Sequence, residues 1–240
     1  TVLLDNFGDP AGYQLPANVE NGELEYASTK LFGNALDNLI EAGRSASYNN
    51  RMVGLDGRDT LSYAKARSGV QVDLSIQGPQ ALGGFFGQHD ISGFEDLIGS
   101  AFADRLGGDA QGNVLRGGDG ADTLRGGLGN DALFGGRWSN GDGAADRFVF
   151  DTAPDSATNH DRVFGFEADG LDRIVLDPAI YAAFGARIDE GEFRIGTQAL
   201  DADDFLLYDP VTGNLYYDPD GNGSAAATAF AKLIGAMGSV

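Results

Sequence analysis

The chain has 240 residues, of which 36 are Asp or Glu and 16 are Lys or Arg, so its formal net charge is −20. This excess of negative charge argues against nucleic acid or an anionic membrane surface as a partner, and it suits a protein that binds cations. Hydrophobic residues make up 42% of the chain and cysteine is absent, which permits a packed core but excludes a disulfide framework and thiol catalysis.

No run of apolar residues in the sequence is long enough to cross a membrane. The sequence begins at Thr1 with no signal peptide, and we expect it to be the C-terminal part of a larger protein. A secreted protein that lacks disulfides needs another source of stability, and bound metal is the obvious one.

Short strands interrupted by glycine and proline are expected in residues 1–32, which we interpret as a degenerate N-terminal repeat or cap segment. Residues 54–62 then approximate a unit of nine, Gly-Gly-x-Gly-x-Asp-x-U-x, in which U is a large apolar residue and Leu55 replaces the second glycine. We predict a metal site in this unit, with ligands from Gly54, Gly57 and Asp59.

Residues 63–89 depart from the nine-residue pattern. Residues 70–76 alternate between apolar and polar, which predicts a half-buried strand. Glycine and proline mark turns after it, so we expect a hairpin or flap on the side of the repeat region, with Phe85 and Phe86 covering its core. His89 is interpreted as a surface or flap residue rather than a metal ligand.

The clearest repeats are two consecutive units in residues 117–134. Asp122 and Asp131 hold the sixth place of these units, and Leu124 and Leu133 hold the eighth. A flexible glycine-rich linker would not place an apolar residue two positions after each Asp at a fixed period.

The same phase extends in both directions from the clear units. A six-residue interruption at 135–140 precedes the last unit, 141–149. The sixth place is taken, in chain order, by Glu95, Asp104, Asn113 and, after the interruption, Asp146.

This spacing suits calcium chemistry. Glycines let the first half of each unit curl with backbone angles that other residues avoid, so carbonyl oxygens turn inward. Calcium takes six to eight oxygen ligands. The predicted ligands are Gly99, Ala101, Gly108, Ala110, Gly117, Gly118, Gly120, Gly126, Gly127 and Gly129, together with the side chains of Asp104, Asn113, Asp119, Asp122, Asp131 and Asp146.

The run resembles the RTX, or haemolysin-type, calcium-binding repeats of Gram-negative proteins exported by type I secretion. The resemblance implies an all-β, right-handed parallel β-roll over residues 33–149, in which two units make one coil and several Ca²⁺ ions lie between coils. Side chains 18 residues apart would then share an ion. Asp104 would then stack on Asp122, and Asn113 would stack between Glu95 and Asp131. If the six-residue interruption loops out, Asp146 would also stack on Asp122.

Residues 150–240 resemble the segment that caps RTX rolls, and the resemblance places an export signal around residues 230–240. The sequence predicts strands near 147–150, 162–166 and 173–176, a short helix at 178–184 and a hairpin at 205–218, and it leaves 225–234 open between helix and strand.

Residues 218–223 resemble half of an EF-hand loop, and Asp218 and Asp220 are candidate calcium ligands. The closing Glu of such a loop is absent, so an acidic turn after a hairpin is the competing interpretation.

The motifs of a zinc protease, a hydrolase nucleophile elbow and a phosphate loop are all absent, and any catalytic domain would lie upstream of Thr1. We therefore expect a secreted, extracellular or cell-surface calcium-binding module that folds on calcium binding and supports type I secretion of a larger protein, with the secretion machinery as a partner during export. One alternative is an adhesin or carbohydrate-binding module that holds a cell-surface or glycan ligand beside residues 63–89. Another is the non-catalytic tail of a secreted protease or lipase.

Overall fold

The computed structural model describes residues 1–4, 11–24, 30–43, 49–83, 87–138, 141–167, 171–185 and 188–235. Within these ranges the chain forms strands, turns and one short 3₁₀ helix, Glu190–Glu192, and no helix that could cross a membrane. In chain order the strands are β1 (Val2–Leu4), β2 (Tyr13–Gln14), β3 (Asn21–Leu24), β4 (Lys30–Phe32), β5 (Leu39–Glu41), β6 (Arg51–Val53), β7 (Thr60–Ser62), β8 (Gln71–Asp73), β9 (Gly78–Ala81), β10 (Gln88–Ser92), β11 (Asp96–Ile98), β12 (Arg105–Gly107), β13 (Val114–Gly118), β14 (Thr123–Arg125), β15 (Ala132–Gly136), β16 (Arg147–Phe150), β17 (Asp161–Phe164), β18 (Arg173–Leu176), β19 (Phe193–Ile195), β20 (Leu206–Tyr208), β21 (Asn214–Tyr217) and β22 (Thr228–Ile234).

The strands form three sheets. The first sheet has the order β1-β3-β5-β7-β11-β13-β15-β17-β22-β21-β20-β19. The second has the order β2-β4-β6-β10-β9, and the third β18-β16-β14-β12-β8. Through the repeats, consecutive strands alternate between the first sheet and one of the other two, and each strand pairs in parallel with the strand one coil away. This confirms the predicted all-β parallel β-roll.

The core is a column of eighth-place side chains. Leu97, Leu115 and Leu133 stand opposite one another on neighbouring strands of the first sheet, and Leu106 and Leu124 do the same in the third. All five are at most 2% exposed. Because side chains alternate between the two faces of a strand, the residues on either side of each leucine face away from this core.

The segment predicted as a flap has two parts. β8 pairs in parallel with β12, with Val72 opposite Leu106, and so belongs to the third sheet of the roll itself. β9 and β10 form the antiparallel pair that a hairpin requires, while Phe85 and Phe86 lie outside the described residues.

The interpretation of His89 as a surface residue is wrong. Its side chain is fully buried, and its Nδ1 lies 3.1 Å from the Tyr63 hydroxyl oxygen. The cause is strand alternation, because the second and fourth residues of β10 are the buried ones.

The C-terminal region closes one end of the roll. β16 and β18 coincide with predicted strands and β17 begins one residue before one, while β20 and β21 form the predicted hairpin. Residues 228–234 are a strand, β22, which pairs in parallel with β17. The predicted export segment thus begins within β22, and its last five residues, 236–240, lie outside the described residues.

Residues 178–184 form turns instead of the predicted helix. The amides of Ile180 and Tyr181 both bond to the Asp177 carbonyl, and the helical pattern does not continue beyond that turn. Tyr181 is 1% exposed, with its ring centroid 5.0 Å from that of Tyr217 and 5.4 Å from that of Phe230. This aromatic packing anchors the turn to the cap and outweighs helix propensity.

Candidate metal centre

Glycines at the second and fourth places of the clear units make the turns that the site requires. Gly118 and Gly120 have φ angles of +120° and +111°, and Gly127 and Gly129 have +96° and +116°. These angles lie in the left-handed region, where a side chain clashes with the backbone. The turns they form bring the sixth-place side chain back over the start of its own unit.

The sixth-place aspartates on one side of the roll form a continuous ladder. The backbone amide of Asp104 donates to Asp122 Oδ1 at 2.7 Å, and that of Asp122 donates to Asp146 Oδ1 at 2.9 Å. The amide of Asp146 in turn donates to Asp172 Oδ1 at 2.9 Å. The structure therefore brings together the three aspartates that the predicted stacking requires, and it adds a fourth.

A second ladder runs along the other side of the roll. The amide of Asn113 donates to Asp131 Oδ1 at 2.7 Å, and that of Asp131 donates to Asp161 Oδ1 at 3.0 Å. Asn113 also donates from its side chain to the Glu95 carbonyl at 2.7 Å. Towards the N-terminus, the amide of Asp59 donates to Glu95 Oε2 at 2.7 Å, so this ladder reaches the unit at 54–62.

Asp161 and Asp172 were missed by the sequence analysis, which ended the repeats at residue 149. Both are 4% exposed and occupy the sixth-place position in their coils. The signal that identifies them is an Asp two residues before a large apolar residue, here Val163 and Ile174. Their units lack the opening glycines, which is why the glycine pattern did not reveal them.

Three aspartates in these ladders each keep one buried oxygen unsatisfied. Oδ2 of Asp59, Asp122 and Asp131 has no hydrogen-bond partner within the described part of the chain, and all three residues are fully buried. A buried carboxylate oxygen without a partner costs several kcal/mol unless a proton or a cation compensates it. These oxygens identify the positions at which a cation would be stabilised.

Backbone oxygens converge on the same positions. A Cβ atom added to Gly117 would collide with Asp122 Oδ2 and with the carbonyl oxygen of Gly135, one coil further along. At Gly99 the colliding atoms are Asp104 Oδ2 and the Gly117 carbonyl oxygen. The first glycine of a unit is thus the floor of a small cradle lined by oxygens from two coils. Oxygen atoms are the ligands that calcium prefers, so the residues fit this ion.

The same arrangement recurs at two more predicted positions. At Gly108, an added Cβ atom would meet the Gly126 carbonyl oxygen and Asn113 Oδ1, so the cradle persists although an amide replaces the carboxylate. At Gly54 it would meet the Gly93 carbonyl oxygen and Asp59 Oδ2. The Asn113 cradle carries one negative charge less than the others, which predicts weaker binding of an ion there.

Burial and mutual repulsion raise the pKa values of the ladder carboxyls. Burial, with a further contribution from the charges of Asp104 and Asp146, raises the pKa of Asp122 to about 9. Burial raises the pKa of Asp146 to about 7 and that of Asp59 to about 6. The pKa values of the adjoining pair Asp131 and Asp161 are raised by burial as well. Without a cation, Asp122 favours the protonated form at neutral pH, whereas Asp59 stays mainly ionised in a buried position.

The remaining predicted ligands are not among the atoms that an added Cβ would meet at the opening glycines. Asp119 is exposed, and its Oδ1 lies 3.9 Å from Arg137 Nε. Ala101 and Ala110 are exposed turn residues, and the Cβ of a residue at Gly57 would meet the Leu36 carbonyl oxygen. In the described residues, no three acidic or histidine side chains gather around one point, so carbonyl oxygens must complete any coordination shell.

Asp218 and Asp220 lie at the end of the predicted hairpin. Asp220 Oδ2 accepts hydrogen bonds from the amides of Ser224 and Ala225, at 2.9 and 3.1 Å, and Asp218 Oδ1 accepts one from the Asp220 amide at 3.3 Å. These bonds are those of an acidic turn. A calcium ion at this turn stays a prediction.

Comparison with known proteins agrees with this geometry. Residues 107–137 match the family described as RTX calcium-binding nonapeptide repeat, in four copies. No curated protein matches the chain. The matched range covers Asn113, Asp122 and Asp131, which contribute to both ladders, and repeats of this family bind Ca²⁺. Residues 107–137 of the chain therefore carry calcium-binding nonapeptide repeats of the RTX type.

Proposed function

We propose that this protein is a calcium-binding module that folds when it binds calcium outside the cell and that supports type I secretion of a larger protein. The observation that carries the proposal is the fully buried Oδ2 of Asp122, which has no hydrogen-bond partner among the described residues and faces a cradle of oxygens between two coils. Such an oxygen is unfavourable in the folded chain alone and favourable when calcium is bound.

Within each coil, side chains and backbone have separate roles. The carboxylates of Asp104, Asp122 and Asp146 would hold ions along one side of the roll, and Asp59 and Asp131 along the other. The opening glycines would present carbonyl oxygens from neighbouring coils. A bound calcium ion supplies the positive charge that these buried carboxylates lack, and its binding free energy becomes folding free energy.

The ladders also supply a reason for the chain to remain open where calcium is scarce. Two carboxylates one strand spacing apart repel by roughly 3 kcal/mol at an effective dielectric constant of 20. Several such pairs recur along the roll, and relieving one by protonating a carboxyl such as Asp122 also costs free energy at neutral pH, so the calcium-free chain would favour an unfolded form that can pass a secretion channel. Calcium outside the cell would then drive folding after export.

Circular dichroism tests the proposal directly. In chelator we expect little β-structure, and on titration a cooperative gain at about 0.1–1 mM calcium, the range of extracellular calcium modules. Magnesium is the control. It should substitute poorly because it demands tight octahedral geometry and gives up its water reluctantly. A spectrum in chelator identical to that in calcium would refute calcium-driven folding.

A further inference from the structure

A groove of about 490 Å³ lies on the outer face of the third sheet, and none of the ladder aspartates lines it. Its floor is formed by residues of β8, β12 and β14, and Val149 of β16 also contributes. One wall is formed by residues 76–81, which leave β8 and lead into β9. None of the described residues that line the groove is aromatic.

The floor of this groove is fixed by an ion-pair bridge. Arg125 of β14 reaches across β12 and pairs with Asp73 of β8, and its Nη1 also lies 3.1 Å from Asp151 Oδ2. The bridge can cross β12 because Gly107 stands between the two partners and has no side chain. A Cβ atom there would lie 3.0 Å from Asp73 Cγ. Because Arg125 already pairs with two carboxylates, it holds the strands at the floor of the groove together, and its charge is not available to a ligand.

A row of basic residues runs along the same face. The register of the third sheet places Gln71, Arg105, Thr123, Arg147 and Arg173 opposite one another on five neighbouring strands. Arg105 and Arg147 are exposed and form no ion pair within the described residues. They lie on either side of β14, two strand spacings apart, which corresponds to about 10 Å. In a chain with a net charge of −20, two exposed cations without an ion pair among the described residues mark a surface suited to an anionic ligand.

We propose that the groove and the arginine row bind a linear acidic polysaccharide that runs across the strands, along the axis of the roll. Arg105 and Arg147 would pair with carboxylates on separate sugar units. Gln71 and Thr123 offer an amide and a hydroxyl to sugar hydroxyls, and Ile76 on the wall, 47% exposed, offers an apolar surface to the C–H face of a ring.

The composition of the groove favours a polysaccharide over a single-stranded nucleic acid. Proteins that bind single strands stack the bases on aromatic side chains, and none of the described residues that line this groove is aromatic. The proposed ligand contacts residues other than those of the calcium ladders. Saccharide binding therefore requires the folded roll, but it does not depend on how many calcium ions are bound or where they lie.

Binding of a short oligogalacturonate to the full 240-residue protein in calcium tests the proposal. Calorimetry at low ionic strength should detect binding of this probe, and a neutral maltooligosaccharide of equal length should not bind. Arg105→Gln should weaken the affinity by about five- to ten-fold, since a charge-assisted hydrogen bond is lost, and the double variant with Arg147→Gln should weaken it further. Raised salt should reduce the affinity of the wild type more than that of the double variant.

Arg162→Gln is the matched control, because Arg162 is an exposed arginine at a strand position of the first sheet. It changes the net charge equally and should alter the affinity by less than about two-fold. Circular dichroism and the melting temperature in calcium must match the wild type for every variant used.

Several outcomes would overturn the proposal. The proposal is wrong if the folded protein does not bind oligogalacturonate, or if Arg162→Gln lowers the affinity as much as Arg105→Gln does. It is also wrong if Arg105→Gln leaves the affinity unchanged because calcium alone bridges the protein and the saccharide, or if single-stranded DNA competes equally well. The calcium proposal is tested separately. A chain that folds in chelator and still binds the saccharide through Arg105 would refute calcium-driven folding and leave this site standing.

Discussion

At the scale of single residues, each place in the nine-residue unit has a separate physical task. Glycine at the second place supplies a positive φ angle, as Gly118 and Gly127 show. Leu55 stands at the same place in the unit at 54–62 and is the one non-glycine residue of the described chain with a positive φ, at 81°. The fold therefore imposes the turn even where the sequence does not favour it.

Leu55→Gly should stabilise the calcium-loaded protein by about 1 kcal/mol. A left-handed conformation costs a non-glycine residue roughly 1–2 kcal/mol, and the greater freedom of glycine in the unfolded chain offsets part of that gain. The Leu55 side chain is 45% exposed, so its removal sacrifices little packing. Denaturant unfolding in excess calcium measures the difference.

Leu128→Gly is the control for that measurement. Leu128 is similarly exposed, at 49%, in the neighbouring third place, and its φ is not positive. Glycine should therefore destabilise the protein there. If both substitutions changed stability with the same sign, the argument from backbone strain at Leu55 would be wrong.

At the scale of the elements, stacking of coils turns isolated aspartates into ladders. Asp122 has a carboxylate neighbour on each side, Asp104 and Asp146. Asp59 instead lies between Glu95 and Asn38, a residue without a carboxylate, whose backbone amide donates to Asp59 Oδ1. The charge available to a shared ion therefore differs between the two positions.

Asp122→Ala should raise the calcium midpoint of folding more than Asp59→Ala. Loss of Asp122 weakens two ion sites, one shared with Asp104 and one shared with Asp146. Each bound ion contributes about 1.4 kcal/mol to the free energy of unfolding when the free calcium concentration is about ten-fold above its Kd. We expect a loss near 3 kcal/mol for Asp122→Ala and about half of that for Asp59→Ala. Calcium titrations followed by circular dichroism provide the midpoints.

Asp119→Ala serves as the control for these two variants, because Asp119 is an exposed acid in the same turn as Asp122. Its removal should leave the midpoint close to that of the wild type. A larger shift for Asp59→Ala than for Asp122→Ala would mean that the N-terminal units, not the clear repeats, dominate calcium-dependent folding.

At the scale of the whole molecule, the ladders connect the stability of the fold to pH as well as to calcium. Burial raises the pKa values of Asp59, Asp146 and Asp122 in the folded chain to about 6, 7 and 9, from the ordinary Asp value of 3.8. A raised pKa means that the folded state binds protons more tightly than the unfolded state. The contribution of these carboxyls to the free energy of unfolding is therefore fully present below about pH 4. It is lost as the pH rises through the pKa values of the folded state.

In chelator, any residual folded form should therefore be more stable at pH 5 than at pH 9. Calcium binding should instead become tighter as the pH rises, because protons compete with the ion for the carboxylates. The calcium concentration at the midpoint of folding should therefore be lower at pH 9 than at pH 5. Thermal melts in chelator and calcium titrations at several pH values measure the two trends. A calcium-free melting temperature that rises with pH would contradict the assignment of the buried carboxyls.

Much of the fold and of the candidate site was readable from local patterns. Glycine, Asp and an apolar residue at fixed places determined the strands, the inward leucines and the ladder members from Asp104 to Asp146, because turn geometry and side-chain alternation are local properties. The same logic extends to Asp161 and Asp172, whose units kept the Asp and the apolar residue but lost the glycines.

Other features were decided only by the tertiary structure. The burial of His89, the turn at 178–184 and the addition of β22 to β17 depend on which distant surfaces meet, and local propensity is weaker than such packing. The groove beside Arg105 also arises only when strands distant in sequence lie side by side and Arg125 crosses Gly107 to reach Asp73. The sequence by itself thus determined the repeating unit and its preference for calcium, whereas the tertiary structure decided how its ends are closed and which charges remain unpaired on its surface, because both depend on contacts between distant parts of the chain.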